Sequence, residues 1–224
     1  MKSFDPSSFD PNQPNAELLL WAYRQGIFPM ADPETDRIDW YSPDPRGILP
    51  LDGFLVRDSL ARFLKRGDFD ISSDTDFEAV IRACADPDRE GRWINETLIQ
   101  AYLDLHRQGY AHSMEARRDG VLVGGLYGVH IGAAFFGESM FIYPDKGGTN
   151  ASKACLVQLV RWMRHQGFEL LDTQFWNPHL DQFGCYEIPH EDYLSRLVPA
   201  INRPVRWGEY RPLQEEEIQG HPDS

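Results

Sequence analysis

Apolar and polar positions along this chain recur with periods that predict a mixed set of helices and strands. Residues 1–14 are polar and Pro-rich and read as a loose arm. An amphipathic helix follows over residues 16–25, and Gly26 can take the left-handed conformation that ends it. Residues 27–50 mix Phe28, Trp40 and Tyr41 with prolines and read as a long loop, either a functional lid or a packing strap over a small core. A strand over 54–57 and a helix over 59–66 with Asp58 as its cap complete a small N-terminal domain, residues 1–66.

From Phe69 the pattern becomes β-α-α-β-β-β-α-β-α. A strand is predicted over 69–72, then helices over 76–83 and 95–108, the second capped by Asn95 and closed by Gly109. Strands over 111–117 and 121–127 are joined by Asp119-Gly120, a type I′ hairpin signal, and a third spans 133–142 after a turn near Ile131-Gly132. A long helix over 150–166, capped by Asn150 and stopped by Gly167, leads into an apolar strand over 168–173 and a shorter helix over 191–197. This order predicts an α+β fold with one mainly antiparallel sheet, residues 67–211, of the kind found in the acetyltransferase-like (GNAT-like) fold. Element order alone says little about function. Residues 212–224 form an acidic tail that is expected to fray.

Composition changes this picture little. With 224 residues, 42% hydrophobic and 25% charged, the chain can bury a substantial core without staples. A net charge of -13 argues against indiscriminate coating of nucleic acid. Against that background Arg57, Arg62, Lys65 and Arg66 make a local basic face, which is either solvated surface or a weak contact for tRNA phosphates. Cys84, Cys155 and Cys185 form no CxxC pair and read as buried thiols in a reducing compartment. No segment resembles a signal peptide or a membrane span, which predicts a cytoplasmic protein with no membrane partner.

Candidate chemistry centres on the end of the last long strand. Asp172 and Gln174 stand two apart, so in a regular strand they share one face and can position an amine. The competing reading makes Asp172 a cap for a neighbouring element and gives Gln174 to the backbone. Glu138, in GESMF, is a lone mid-strand carboxylate. Alternation places it with Phe136 and Met140 unless a bulge intervenes. Leu126, Phe135, Met140, Met163 and Leu171 are available either to line an apolar pocket or as plain core. The histidines, among them His106, His112, His179 and His190, show no metal-ligand spacing and read as isolated or surface residues, and no serine or cysteine has a nucleophile signature. Residues 145–150, DKGGTN, precede a helix and form either a weak anion site or a Gly-rich turn.

Several runs taken together resemble the leucyl/phenylalanyl-tRNA-protein transferase family: LLWAYRQGIFP, WYSPDPRG, RWINETLIQAYLDLHRQGYAHSMEA, LVGGLYGV, FFGESMF, NASKACL, LLDTQ and FGCYEIPHEDYL. The resemblance implies transfer of Leu or Phe from leucyl-tRNA or phenylalanyl-tRNA to the α-amino group of proteins that begin with Arg or Lys, which marks them for N-end-rule degradation. A monomer is expected rather than an oligomer, with no cofactor and, from the histidine spacing, no metal. The resemblance places Asp172 and Gln174 at the reacting amine, Asp172 accepting or relaying the amine proton through Gln174, with Glu138 and Asn177 nearby. The apolar set would receive the Leu or Phe side chain, and Tyr23, Trp93 and Tyr102 would hold the aminoacyl-adenosine end. Met30 stands where the family commonly has Trp, the GG-D-L tract before the first helix is absent, and residues 143–149 form a longer, more Gly-rich turn. Two alternatives are an acetyl-CoA-dependent N-acyltransferase and a non-catalytic adaptor that binds protein N-termini.

Overall fold

A computed structural model describes residues 5–89 and 91–213. In chain order the elements are α1 (Ala16–Arg24), β1 (Phe28–Ala31), β2 (Ile38–Tyr41), β3 (Arg46–Leu49), α2 (Asp58–Leu64), β4 (Asp70–Ser73), α3 (Phe77–Cys84) and α4 (Glu96–Arg107). They continue with β5 (Ala111–Arg118), β6 (Val121–Ile131), β7 (Ala134–Ile142), α5 (Ala151–Gln166), β8 (Leu170–Gln174), α6 (Pro178–Asp181), β9 (Tyr186–Ile188) and α7 (His190–Asn202). Short 3-10 turns precede α1 and α5.

Seven strands form one sheet in the order β4-β5-β6-β7-β8-β3-β9, while β1 and β2 make a separate hairpin. Every neighbouring pair in the large sheet is antiparallel except β7 and β8. The α+β class with a mainly antiparallel sheet is therefore what the chain adopts. One face of the sheet is covered by α1, α3, α4 and α7, through a core that includes Leu19, Tyr23, Val80, Leu98, Tyr102, Phe136 and Leu197. The other is covered by α5 with Leu60 of α2, through Leu126, Phe135, Leu156, Met163 and Leu171.

Local signals place most of these elements. The Asn15 side chain accepts from Leu18 N and the Asn95 side chain from Leu98 N, both at 2.9 Å, so each satisfies an otherwise unpaired N–H at its helix start. Asp119 and Gly120 have φ of 51° and 77°, the two left-handed residues that a type I′ turn needs. All three cysteines are free and buried.

Several expectations are corrected. Residues 27–50 are not a loop: they hold three four-residue strands whose pattern the prolines obscure. β3 takes the sheet position beside β8, and no strand forms over 54–57, where Phe54 instead stacks on Phe183 at 5.3 Å. Residues 5–14 of the expected loose arm are tied down: Asn12 accepts from Ile38 N at 3.0 Å, and Pro11 O accepts from Trp40 Nε1 at 3.2 Å. Residues 1–4 lie outside the described residues. Asn150 makes no capping hydrogen bond, because it is itself left-handed at φ 69°, and Asp58 lies inside α2 rather than capping it. α7 runs past the expected 197 to Asn202 with Pro199 inside it. His112 is buried rather than surface, stacked on Trp207 at 4.3 Å and bonded to Asp74 at 2.7 Å. Of the acidic tail, Pro212 and Leu213 are described, with Leu213 buried beside α5, and 214–224 lie outside the described residues. Among the described residues no helix is long and apolar enough to cross a membrane.

Candidate functional site

The sheet opens at its one parallel junction. β7 and β8 pair only over Ala134–Phe136 against Leu170–Asp172, and beyond that point the strands part. Two irregularities flank the gap. Between Tyr127 and Gly128 the β6–β7 register shifts so that Gly137 faces Gly128 and Ser139 faces Tyr127, which leaves Glu138 as the extra residue of a bulge. Gly128 is required there, because a Cβ on it would stand 2.3 Å from Phe136 O. The β3–β8 register shifts likewise, with Gly47 opposite Gln174 and Ile48 opposite Asp172, so that Thr173 is extra. Gly47 too has no room for a side chain, since its Cβ would meet the Phe175 carbonyl carbon at 2.5 Å.

The bulge decides what faces the gap. In a regular strand Glu138 would share a face with Met140; here Glu138 reaches the Tyr102 side while Met140 packs with Leu126 and Leu171 on the α5 side. A cavity of about 780 Å³ occupies the opening. Its apolar wall is formed by Leu126, Met140, Leu156, Leu159, Leu171 and Leu180, and its polar wall by Glu138, Ser139, Tyr127, Arg89, Gln174 and Asn177. Asn177 also caps α6, accepting from Leu180 N at 2.9 Å. Arg89 bonds the Met140 carbonyl at 2.6 Å, so a strand-edge acceptor left free by the parting of β7 and β8 is used.

A hydrogen-bonded chain crosses the polar wall. Gln174 Nε2 donates to Glu138 Oε1 at 3.2 Å, Tyr102 OH donates to Glu138 Oε2 at 3.2 Å, and the Tyr23 and Tyr102 hydroxyls share a 2.6 Å bond. Burial, with the Asp172 charge adding to it and the tyrosine hydroxyls opposing it, pushes the Glu138 carboxyl up to about 8. Burial and the nearby Glu138 charge hold Tyr23 and Tyr102 far above the usual phenol range, so both stay protonated.

Asp172 sits behind this wall. It is 0% exposed and receives Arg46 Nε at 2.9 Å and Nη2 at 2.7 Å, Tyr193 OH at 2.6 Å and Gln174 N at 2.8 Å. Arg46 is also 0% exposed; its Nη1 donates to Gly26 O at 2.8 Å, and its guanidinium lies 5.0 Å from the Phe28 ring centroid and 4.5 Å from that of Tyr193. Gln174 is left-handed at φ 58°, unusual for a residue with a side chain.

The residues singled out by sequence are thus sorted. Glu138, Gln174, Asn177, Leu126, Met140 and Leu171 line the cavity. Asp172 does not, because its carboxylate is enclosed by Arg46 and Tyr193. Phe135 and Met163 are fully buried core beneath the apolar wall, and Tyr23 and Tyr102 are fully buried behind Glu138. Met30 on β1 and Trp93 are half-buried at the far side of the hairpin, joined by the bond from Ala31 N to Trp93 O at 2.8 Å. In the 145–150 turn the N–H groups of Lys146, Gly147 and Gly148 bond the carbonyls of Tyr143 and Pro144, so these three donors are already used. Arg46 and Tyr193 escaped sequence reasoning: each lies inside a recognised run, WYSPDPRG and EDYL, but 126 and 21 residues from Asp172.

Family models described as leucyl/phenylalanyl-tRNA protein transferase and its N-terminal domain match residues 48–198 and 12–44. Among relatives named leucyl/phenylalanyl-tRNA--protein transferase, that of Rubrobacter xylanophilus is 52% identical over 187 residues, 83% of this chain and 94% of the relative. That of Paramagnetospirillum magneticum is 52% identical over 189 residues, 83% of this chain and 88% of the relative. Among solved structures, a ribosomal-protein-alanine N-acetyltransferase from Brucella melitensis is a slight likeness, with a TM-score of 0.37 and 18% identity over 51% of this chain and 84% of that one.

Proposed function

The chain belongs to the leucyl/phenylalanyl-tRNA protein transferase family, and from that premise we propose that it moves Leu or Phe from charged tRNA to the α-amino group of proteins beginning with Arg or Lys. The product carries a destabilising N-terminus that marks it for degradation, and the reaction takes place in the cytoplasm on a monomeric enzyme. The observation that supports this best is the cavity in the β7–β8 gap, which sets an apolar wall able to receive a Leu or Phe side chain against a carboxyl raised to about 8.

An ester already activated on tRNA needs a neutral amine held near its carbonyl more than it needs a covalent intermediate. The donor side chain lies against Leu126, Met140 and Leu171, with Phe135 and Met163 backing that wall, so the ester carbonyl is presented near Gln174 and Asn177. The amine nitrogen attacks that carbonyl, the new C–N bond forms, and the bond to the ribose oxygen breaks. Glu138 takes the proton the nitrogen loses and returns it to the leaving ribose oxygen. Its raised value lies close to the ~7.7 to 8.0 of an α-amino group, so the proton moves between nearly matched partners. Asp172 contributes through Gln174 rather than by direct contact. Met30 and Trp93 frame the terminal adenosine side, Tyr23 and Tyr102 act from behind the wall by holding Glu138, and the exposed Arg57, Arg62, Lys65 and Arg66 at α2 meet tRNA phosphates.

The test is transfer of labelled Leu from charged tRNA to peptides beginning with Arg, Lys or other residues. Transfer restricted to Arg and Lys peptides is expected. Folded enzyme with intact charged tRNA and no transfer to any peptide would refute the reading.

A further inference from the structure

We propose that Arg46 and Tyr193 are positioning residues for aminoacyl transfer, which act by locking Asp172 so that it sets the Gln174 backbone in the conformation aiming its carboxamide at Glu138. This rests on the transferase reading above and adds two residues to it.

The bonding of Asp172 carries the inference. An ionised carboxylate offers about four acceptor positions, and here Arg46 takes two, Tyr193 one and Gln174 N one. No position is left for an incoming amine, and the group has no exposed surface through which one could arrive. Proton acceptance by Asp172 would break a buried bidentate ion pair, which is strongly unfavourable. The part of Asp172 that reaches the cavity is its bond to Gln174 N. That bond holds Gln174 at φ 58°, a conformation an L side chain avoids by default, and from there Nε2 meets Glu138 Oε1. Gln174 keeps its carboxamide oxygen for the second substrate, where it can accept from the attacking amine and orient its lone pair.

Arg46 is itself fixed from three sides. Gly26 O receives Nη1, and the Phe28 and Tyr193 rings lie against the guanidinium. Its fork matches the carboxylate in a way that one ammonium point charge does not. Tyr193 OH completes the second oxygen, and burial keeps that phenol far above its usual range, so it remains a donor. The end of α1, β1, β3, β8 and α7 thereby converge on one carboxylate, and its geometry is transmitted to the cavity through a single N–H.

Tyr193→Phe is the deciding variant because it deletes one O–H and keeps the ring that packs on Arg46 and Gly26. Single-turnover transfer of Leu from charged tRNA to an Arg-initiated peptide is measured per folded active site, with KM for both substrates. A roughly tenfold fall in the transfer rate with both KM values unchanged is expected, the size of one lost hydrogen bond to a buried charge. A rate within twofold of the parent, or a rise in KM at unchanged rate, would overturn the assignment. Arg46→Lys keeps the charge without the fork and should fall further; a parental rate in that variant would also overturn it. A parent protein that transfers nothing refutes the transferase reading, whereas an active parent with an unaffected Tyr193→Phe refutes only this inference.

Discussion

Glu138→Gln should stabilise the protein while removing one ionisation from its pH profile. The carboxyl stands at about 8 in the folded chain against an ordinary 4.5. Its pKa is raised, so the folded state holds this proton more tightly than the unfolded state does. The contribution of Glu138 to stability is full below about pH 4.5, falls as pH climbs from there towards 8, and is level above. Each unit corresponds to about 1.4 kcal/mol, so at pH 7 the ionisable residue costs on the order of 3 kcal/mol relative to a neutral isostere. The new amide must take the Tyr102 bond with its hydrogen-bonding sense reversed, which trims the gain to about 2 kcal/mol. For a domain of this size that is roughly 4 to 8 °C in melting temperature. Scanning calorimetry of both proteins from pH 4 to 9 checks it: at pH 4 the variant should melt slightly lower, by the altered bond alone, and the difference should change sign as pH rises and reach a plateau above pH 8. In parallel, the proposed proton transfer to Glu138 predicts that kcat/KM for an Arg-initiated peptide rises in the parent with two ionisations near pH 8, one from the enzyme and one from the amine, and in Glu138→Gln with the amine's alone. A melting difference that is flat with pH, or a variant whose pH profile matches the parent's, would refute the role of Glu138.

Asp172→Asn strands the Arg46 charge in the core and is expected to cost about 3 to 5 kcal/mol, read by urea denaturation, beyond any loss of turnover. Gly128→Ala puts a methyl 2.3 Å from Phe136 O and should cost about 2 to 3 kcal/mol while disturbing the bulge that turns Glu138 into the gap, so transfer falls in the fraction that folds. Leu126→Phe narrows the apolar wall and should raise the preference for Leu over Phe by about tenfold in competition between the two charged tRNAs.

Much of this fold was legible from local pattern, because its large elements carry their own period and punctuation. Asn95 caps a helix, Gly26, Gly109 and Gly167 end helices, and Asp119-Gly120 turns the hairpin. What escaped is decided by partners distant in sequence. The strand at Arg46–Leu49 has only four residues and gains its identity from β8 and β9, more than 120 residues away. Within the site, Asp172, Gln174 and Glu138 stand out as polar residues on apolar strands, which composition alone exposes. The alternation of Glu138 with Met140 fails because a bulge is set by the neighbouring strand: Gly128, across the ladder, admits the extra residue. The pairing of Asp172 with Gln174 holds, but through the backbone N–H rather than two side chains on a common face. Arg46 could not be assigned, since nothing within WYSPDPRG indicates that its arginine is buried.

Departures from regular structure gather in one place. The parted strands, two bulges, a left-handed glutamine, a carboxyl raised to about 8 and a buried ion pair all lie around the β7–β8 gap, and each lowers stability taken alone. They are coupled, which explains why they occur together. Opening the sheet makes the cavity, and the same opening leaves Gln174 without a β7 neighbour on its cavity side to direct it; Asp172 supplies that direction through its bond to the Gln174 N–H. The Asp172 carboxylate is held by a buried cation, and that cation comes from residue 46, on a strand delivered by the N-terminal part of the chain. The cavity walls, Asp172 and Tyr193 therefore come from the later part of the sequence and the cation that holds Asp172 from its beginning. Arg46 reaches Asp172 only when β3 has docked between β8 and β9, so the positioning role proposed for Arg46 makes folding of the N-terminal segment a condition of catalysis.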